Sequence, residues 1–208
     1  MAAIGILGGT FNPPHVAHLL CAQEAHDQLD LDRVLLMPVA TPPHKEAPGD
    51  PGPAARIAMC ELAVAGDERF AVSDLEVRRG GASYTVDTLR ALHESHPGVD
   101  LTFIVGGDMA SSLPAWREPR EVVGLARLAV AEREGARRVD ILERLATIPG
   151  AVDRVDFFDL PRMDVSSSLV RRRVAAGRPI RYLVADAVAE YIADHGLYRS
   201  PVTTQPAP

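Results

Sequence analysis

The stretch that decides the fold reads GGTFNPPHVAHL and spans residues 8–19, directly after an apolar run at residues 3–7. Its two adjacent glycines permit positive φ angles and allow a ligand to approach the backbone closely. The two prolines end any strand, yet a helix can begin directly after them. The stretch therefore predicts a strand, a glycine turn and then a helix.

His15 and His18 belong to the first turn of that predicted helix and share one face, because they lie three residues apart. A helix N-terminus combines unpaired backbone N–H groups with the positive end of the helix dipole, so it attracts phosphate. Neither a P-loop pattern nor GxGxxG occurs in this stretch. Two surface histidines on an ordinary β–α turn are the alternative. Their position at the first β–α junction, beside glycines and prolines, favours a phosphate site.

A second motif, VSSSLVR at residues 165–171, opens another helical pattern. Asp164 and the three serines are typical of a helix N-cap, and their hydroxyl and N–H groups also suit phosphate oxygens. Arg171 would lie one turn inside the helix, where a guanidinium can bind two phosphate oxygens at once. Alone, the motif fits a capped helix with solvated arginines. Together with the first motif, it indicates a second phosphate-binding element.

Length and composition indicate one globular domain over residues 1–199, with a disordered tail at residues 200–208. Hydrophobic residues make up 47% of the 208 residues, which is enough for a substantial core. The sequence shows no signal peptide, and no apolar stretch in it approaches the roughly 20 residues that span a bilayer. We therefore expect a cytoplasmic protein without a membrane partner. A net charge of −6 opposes a nucleic-acid partner. Cys21 and Cys60 are expected to be buried, reduced thiols.

Short apolar strands alternate with helical patterns along the chain, which predicts a single Rossmann-like open parallel sheet with helices on both faces. Strands are expected at residues 3–7, 34–39, 70–72, 101–105, 128–132 and 155–158. Helices are expected at residues 15–29, 53–65, 84–95, 118–125, 137–146, 167–176 and 184–195. The last helix should end at His195, as a cap residue before a glycine. Residues 41–53 then form a loop within the fold.

Three further motifs carry chemistry that could serve a second substrate. PPHK at residues 42–45 follows the second strand, so His44 and Lys45 should lie at the same sheet edge as the glycine stretch. SYTVDTL at residues 83–89 opens a helix, and GGD at residues 106–108 indicates a glycine turn ahead of Trp116. An indole at an open sheet edge can stack on a flat ring. A solvent loop, an ordinary helix start and a hydrophobic anchor are the respective alternatives.

The first motif resembles the GG-T/S-F-D/N-P-x-H-x-G/A-H signature of the nucleotidylyltransferase superfamily, and residues 165–171 resemble its second signature, I-S-S-T/S-x-I/V-R/K. PPHK, SYTxDTL and GxD…WR resemble, more narrowly, the nicotinate mononucleotide adenylyltransferase family, and this resemblance covers about residues 4–198. It implies transfer of the adenylyl group of ATP to nicotinate mononucleotide, which gives deamido-NAD and pyrophosphate in NAD biosynthesis. The transfer would be a direct in-line attack without a covalent intermediate.

The resemblance also implies roles for individual residues. His15, His18 and Arg171 would be the catalytic residues. The ATP side would comprise Gly8, Gly9, Thr10 and Phe11 as a backbone cradle, His15 and His18 at the phosphates, Gly106 and Asp108 near the adenosine, and Ser167 and Arg171 at the triphosphate. The mononucleotide side would comprise His44, Lys45, Trp116 stacked on the pyridine ring, and backbone N–H groups of Thr85 and near Arg117 on the carboxylate. Mg²⁺, held mainly by the ATP phosphates, is the expected cofactor, and no metal site is expected in the protein. The oligomeric state, including a homo-oligomer, stays open.

Two positions depart from the superfamily signature. Asn12 stands where many members have aspartate, and Ala17 stands where many have glycine. Neither removes an implied phosphate ligand. Pantetheine-phosphate adenylyltransferase is the alternative enzyme, since it shares both phosphate motifs, but it leaves Trp116 and the segment around Thr85 unexplained. A non-catalytic nucleotide-binding regulator is the alternative of another class, and it would be expected to lack a histidine or the arginine.

Overall fold

Among the residues that the computed structural model describes, 2–41, 49–132 and 138–199, six parallel strands form one sheet. The strands are β1 Ala3–Gly9, β2 Arg33–Pro38, β3 Phe70–Val72, β4 Asp100–Gly106, β5 Arg127–Glu132 and β6 Val155–Asp159. Their order across the sheet is β3-β2-β1-β4-β5-β6, which confirms the predicted open parallel sheet. The winding reverses between β1 and β4, the point beyond whose carboxyl ends doubly wound sheets bind ligands.

The helices follow the strands in the expected alternation. They are α1 Val16–Gln28, α2 Pro53–Val64, α3 Leu75–Arg79, α4 Thr85–Ser95, α5 Gly107–Ser112, α6 Pro119–Leu125, α7 Arg138–Leu145, α8 Ser167–Ala175 and α9 Asp186–Asp194, with short 3₁₀ turns at Leu113–Ala115 and Val152–Arg154. Each predicted strand and helix is present, with bounds shifted by a few residues. Helices α3 and α5 were not predicted, because five or six residues are too few to show helical periodicity.

Side chains alternate between two cores, one on each face of the sheet. One face carries Ile6, Met37, Phe103, Leu128 and Val130, and the opposite face carries Leu7, Leu36, Ile104, Ala129 and Ala131. Leu89 of α4 and Ile141 of α7 cover the first face. Ala22 of α1 and Cys60 of α2 cover the second. The prediction of helices on both faces is therefore confirmed.

A third apolar cluster lies beside the sheet. It joins Met59 of α2, Val170 of α8 and Val188 of α9, and the last residues of the described chain pack against it. His195 caps the C-terminus of α9, as predicted, and Gly196 follows with a φ of 60°. This cluster places α8, which carries the second motif, against α2.

The cysteine prediction is confirmed. Cys21 and Cys60 are both buried, and neither forms a disulfide. Burial raises the pKa of the Cys60 thiol far above its usual value, so it stays protonated. Within the described part of the chain, no helix has the length and apolar character needed to cross a bilayer. The predictions for residues 42–48 and for the tail at residues 200–208 lie outside the described residues.

The predicted glycine turns are wrong. Gly8 and Gly9 belong to β1, and the positive φ in the following turn, 49°, belongs to Phe11. Gly106 is extended at the end of β4, and α5 begins directly at Gly107. Space, rather than a left-handed backbone, explains Gly9: a Cβ there would lie 3.1 Å from the Phe11 ring. The first motif needs glycine because the phenyl ring folds back under the strand.

Gly5 should be needed for packing at the centre of the sheet. A Cβ at this position would lie 2.7 Å from Cδ1 of Leu31 and 3.0 Å from Cδ1 of Ile104. We expect Gly5→Ala to lower the free energy of unfolding by about 1–3 kcal/mol through overpacking. Gly124→Ala is the matched control, since nothing lies within 4 Å of a Cβ on this helical glycine. The control should raise stability by up to about 1 kcal/mol through helix propensity. Urea unfolding measures both, and equal stability of the two variants would contradict the packing argument.

Candidate active site

The carboxyl ends of β1 and β4 form the floor of the candidate site. Gly8, the penultimate residue of β1, and Gly106, the last residue of β4, are both exposed there, although the residues before them are buried. A Cβ on Gly106 would meet no atom within 4 Å, so open space lies above this edge. Asp108 is exposed in the first turn of α5, next to the same edge. The floor is therefore bare backbone that a flat or charged ligand can approach closely.

An aromatic stack places the two histidines side by side. Phe11 is buried, and its ring meets the His18 ring edge-on at a centroid distance of 4.9 Å. The His15 and His18 rings stack, with centroids 3.7 Å apart and an interplanar angle of 29°. The peptide bond between Asn12 and Pro13 is cis. The structure thus places both imidazoles on one face at the start of α1.

A backbone hydrogen bond determines which nitrogen of His18 is protonated. His15 is the N-cap of α1, and its backbone N–H donates to Nδ1 of His18 over 3.1 Å. A nitrogen that accepts a hydrogen bond carries no proton, so the neutral ring bears its proton on Nε2. His18 therefore presents an Nε2–H donor, which is the group that a phosphate oxygen requires.

The first N–H group of α1 is paired. The backbone N–H of Val16 donates to the carbonyl oxygen of Leu183 over 2.9 Å. The prediction of unpaired N–H groups at this helix start is therefore wrong for Val16. The partner lies in the segment before α9, and its approach depends on tertiary packing that the local pattern does not reveal.

The second motif folds directly onto the first. Ser166 is the N-cap of α8, and its Oγ accepts the Leu169 N–H over 3.2 Å, as the serine pattern predicts. Ser167 Oγ donates to the Pro13 carbonyl over 2.8 Å. Arg171 Nη1 donates to the Asn12 carbonyl over 2.7 Å. Residues 154 and 159 positions apart thus meet at the start of α1.

Two of the other arginines near Arg171 make contacts elsewhere. Arg173 Nε donates to the Pro179 carbonyl over 2.8 Å, and Arg181 lies 3.6 Å from a carboxylate oxygen of Asp186. Arg173 and Arg181 therefore do not act together with Arg171.

A buried guanidinium holds the turn after β1, and sequence analysis missed it. Arg56 of α2 is fully buried; its Nη1 donates to the carbonyl oxygens of Thr10 (3.0 Å) and Val39 (2.8 Å). Its Nη2 donates to Ala40 O over 3.1 Å, and its Nε pairs with Oδ1 of Asp50 at 3.1 Å. A signal exists in the sequence, because an arginine opens the buried stripe of α2 that continues with Met59, Cys60 and Val64.

These contacts give the turn an electrostatic direction. The carbonyl oxygens of Thr10, Asn12 and Pro13 all accept hydrogen bonds from protein donors. A carbonyl oxygen carries partial negative charge and repels phosphate, so binding it to a cation or hydroxyl removes that repulsion. The turn is thereby preorganised for an anion.

The start of the SYTVDTL motif contacts the residues that follow β2, at the same edge of the sheet. Ser83 Oγ accepts the Ala40 N–H over 3.0 Å, and Thr41 forms an isolated bridge with Ala82. Thr85 is the first residue of α4. The motif therefore lies beside the end of β2, which is the strand next to β1.

Ion pairs connect this motif to the segment around Arg117. The Arg117 guanidinium lies 5.0 Å over the Tyr84 ring, and its Nη1 is 3.3 Å from Oδ2 of Asp87. Arg90 of α4 pairs with Glu118 and Glu121. These contacts hold the start of α4 next to residues 116–121. Sequence analysis gave Arg90 no role.

Trp116 is held from two sides. Its Nε1–H donates to Ser112 Oγ over 3.0 Å, and its ring meets Phe103 of β4 edge-on at 6.0 Å. It remains partly exposed beyond the end of β4. The structure thus brings Thr85, Trp116 and Arg117 into one region, whereas His44 and Lys45 lie outside the described residues.

Comparisons with known proteins agree with this geometry. The sequence pattern of the cytidylyltransferase-like family matches residues 6–173, a span that includes both motifs. A Thermomicrobium roseum protein named "probable nicotinate-nucleotide adenylyltransferase" is 44% identical over 200 residues, which cover 96% of this chain and 93% of that protein. A Roseiflexus protein of the same name is 45% identical over 199 residues, which cover 95% and 98%. The chain belongs to the nicotinate-nucleotide adenylyltransferase family.

Solved structures confirm the fold of this family for the chain. The nicotinic acid mononucleotide adenylyltransferase of Plasmodium falciparum, solved in complex with NaAD, aligns with a TM-score of 0.77 over 95% of this chain and 98% of that one. The sequence identity is 19%, so this likeness concerns the fold alone. The predicted family and its enzyme class, the nucleotidyltransferases, are confirmed by the closer relatives.

Arg56 provides a test of the turn in this member of the nicotinate-nucleotide adenylyltransferase family. Arg56→Met keeps an unbranched chain but leaves three carbonyl oxygens without their donor. We expect it to lower the free energy of unfolding by about 2–5 kcal/mol. Arg56→Lys should restore only part of this, because an ammonium cannot reach the separate acceptors as a planar fork does.

Arg69→Met is the matched control, since Arg69 makes an exposed ion pair with Asp67 that should contribute little to stability. Urea unfolding followed by circular dichroism measures all three variants. Wild-type stability of Arg56→Met would show that the guanidinium is not needed.

Proposed function

We propose that this chain transfers the adenylyl group of ATP to nicotinate mononucleotide and releases deamido-NAD and pyrophosphate. The observation that carries the proposal is the contact between the two motifs, in which Ser167 and Arg171 of α8 bind the turn beside the stacked histidines. Cationic and N–H donors thereby surround a glycine floor at the switch point of the sheet. Membership of the nicotinate-nucleotide adenylyltransferase family supports the same reaction.

The chemistry requires no nucleophile from the protein. A phosphate monoester is largely dianionic near neutral pH, since its second pKa is about 6. One of its oxygens forms a bond to the α-phosphorus of ATP while the bond from that phosphorus to the bridging oxygen breaks. The electron pair leaves with pyrophosphate, and no proton transfer is needed. Catalysis therefore consists of positioning and charge neutralisation.

The residues of the first motif bind the nucleotide phosphates. His18 donates through Nε2–H to a phosphate oxygen, because its Nδ1 is occupied by the His15 N–H. His15 lies stacked on that ring and adds a second imidazole at the start of α1. Arg171 supplies the positive charge that stabilises the charge developing on the departing pyrophosphate. Gly106 and Asp108 lie at the floor where the adenosine would rest.

The second region receives the mononucleotide. Trp116 offers a partly exposed indole fixed by Ser112 and Phe103, which suits stacking on a pyridine ring. The start of α4 at Thr85 and the backbone near Arg117 would receive the nicotinate carboxylate, since a helix start favours an anion. The roles of His44 and Lys45 at the mononucleotide phosphate stay predictions.

Mg²⁺ is the proposed cofactor, and it would arrive bound to ATP. In the described part of the chain, no three His, Cys, Asp or Glu side chains come together as a metal site. The donors around the histidines and Arg171 are N–H groups and cations, which suit phosphate oxygens rather than a hard divalent cation. The ion would supply charge neutralisation between phosphate oxygens. The chain's own residues then bind the remaining oxygens and hold the reacting groups in line.

The function is tested by pyrophosphate release from ATP and Mg²⁺ with three acceptors side by side. Nicotinate mononucleotide, nicotinamide mononucleotide and phosphopantetheine are compared at equal concentration. Strong preference for the nicotinate form is the expected result. Preference for phosphopantetheine would retain the phosphate site and overturn the pyridine site. ATP binding without release of pyrophosphate from any mixture would indicate a nucleotide-binding regulator.

His18 should contribute through its Nε2–H donor. We expect His18→Ala to lower turnover by about 10²–10³, the loss typical of one preorganised oxyanion donor, with little change in stability. His18→Asn is the matched variant, because its side-chain oxygen can still accept the His15 N–H while the distal donor is lost. Its turnover should fall as far as that of the alanine variant. Steady-state kinetics on folded protein decide the matter, and an unchanged rate would refute the role of His18.

Trp116 should act on one substrate only. We expect Trp116→Ala to raise the KM for nicotinate mononucleotide about tenfold or more, because aromatic stacking on a base contributes about 1–3 kcal/mol. The KM for ATP should change little. Trp116→Phe keeps a stacking ring and should have a smaller effect on the mononucleotide. Equal changes in both KM values would contradict the assignment of Trp116 to the mononucleotide site.

A further inference from the structure

We propose that Tyr198 is a positioning residue of the phosphate site, whose hydroxyl holds Asn12 and thereby the carbonyl oxygen to which Arg171 binds. The proposal rests on the proposed function, because it concerns the triphosphate side of that same site. Neither signature motif includes Tyr198. It follows α9, close to the end of the described chain.

The geometry joins three distant parts of the chain at one residue. Tyr198 Oη–H donates to Oδ1 of Asn12 over 2.6 Å, across a sequence separation of 186. Asn12 is 2% exposed, so water does not compete for this bond. The backbone carbonyl of the same residue accepts Nη1 of Arg171 over 2.7 Å. The tyrosine therefore binds the side chain, and the arginine the main chain, of a single residue in the first motif.

The tyrosine is well suited to this role. Its ring packs against the apolar cluster that contains Met59 of α2 and Val170 of α8, so its position follows that of the helix carrying Arg171. Its φ is 60°, a left-handed value that a bulky aromatic residue adopts only when other contacts hold it. Burial raises the pKa of Tyr198 well above its usual value, so the hydroxyl keeps its proton and remains a donor.

The pair also explains why the first motif accepts asparagine at position 12. The hydroxyl requires an acceptor, and a carboxamide oxygen and a carboxylate oxygen both provide one. Asn12 thus keeps the bond that an aspartate would make, without placing a negative charge beside the phosphates. Asn12→Asp should therefore keep the coupling to Tyr198.

The test removes one oxygen atom. Tyr198→Phe keeps the ring and its packing, so the protein should stay folded, although the melting temperature should fall by a few degrees because the buried Oδ1 of Asn12 loses its donor. We expect the affinity for ATP, measured by calorimetry without the second substrate, to fall about 3- to 10-fold, the usual effect of one hydrogen bond. The KM for ATP should rise alike, while the KM for nicotinate mononucleotide stays unchanged. Tyr182→Phe is the matched control, because Tyr182 is 79% exposed.

A double-mutant cycle separates positioning from anchoring. With Asn12→Ala in place, Tyr198→Phe should cause no further loss of ATP affinity, since the acceptor is already gone. In Asn12→Asp, the full effect of Tyr198→Phe should return. Wild-type ATP affinity in Tyr198→Phe would overturn the proposal, and so would an equal loss for both substrates. A wild-type chain that binds ATP but makes no deamido-NAD would instead contradict the proposed function, and the affinity comparison would still decide the role of Tyr198.

Discussion

The buried guanidinium of Arg56 is the interaction on which the candidate site depends. The turn after β1 and the extension after β2 leave the sheet, so their carbonyl oxygens lose the ladder partners that strands provide. Arg56 supplies donors to three of these oxygens and pairs with Asp50. A buried charge is tolerated only when its donors are satisfied. Here one guanidinium donates hydrogen bonds to carbonyl oxygens of both segments. These hydrogen bonds fix the position of the turn after β1 relative to the extension after β2.

Around this centre, the proposed phosphate site is assembled from segments that are remote in sequence. The turn at residues 10–15 is held by Arg56 from α2, by Ser167 and Arg171 from α8, and by Tyr198 after α9. A parallel sheet makes this possible, because all its strands end at one edge and the helices that follow begin there. The carbonyl oxygens of this turn accept hydrogen bonds from protein side chains. In the proposed site, the glycine backbone, the imidazoles and the guanidinium are then the groups that would bind an anion.

Much of the fold could be predicted because its signals are local. Alternation of apolar strands with helical patterns locates each strand, and serines before an apolar run locate the start of α8 at Ser167, with Ser166 as its cap. The predictions were wrong where tertiary contacts, rather than local patterns, decide the structure. Gly9 is needed because the ring of Phe11 folds beneath it, and the Val16 N–H is occupied because Leu183 approaches from the far end of the chain. The structural role of Arg56 was not predicted, because an arginine in a helix is ordinarily solvated.

The sequence by itself determined most of the secondary structure, the parallel arrangement of the strands and the family, since these depend on periodicity, capping and short motifs that are read along the chain. It also indicated the two phosphate motifs and the residue types in them. Only the tertiary structure decided which nitrogen of His18 carries the proton, which carbonyl oxygens Arg56 and Arg171 bind, and that Tyr198 reaches Asn12. The physical reason is that a hydrogen bond depends on distance and direction between two groups, and residues 159 or 186 positions apart acquire these only when the whole sheet has been packed.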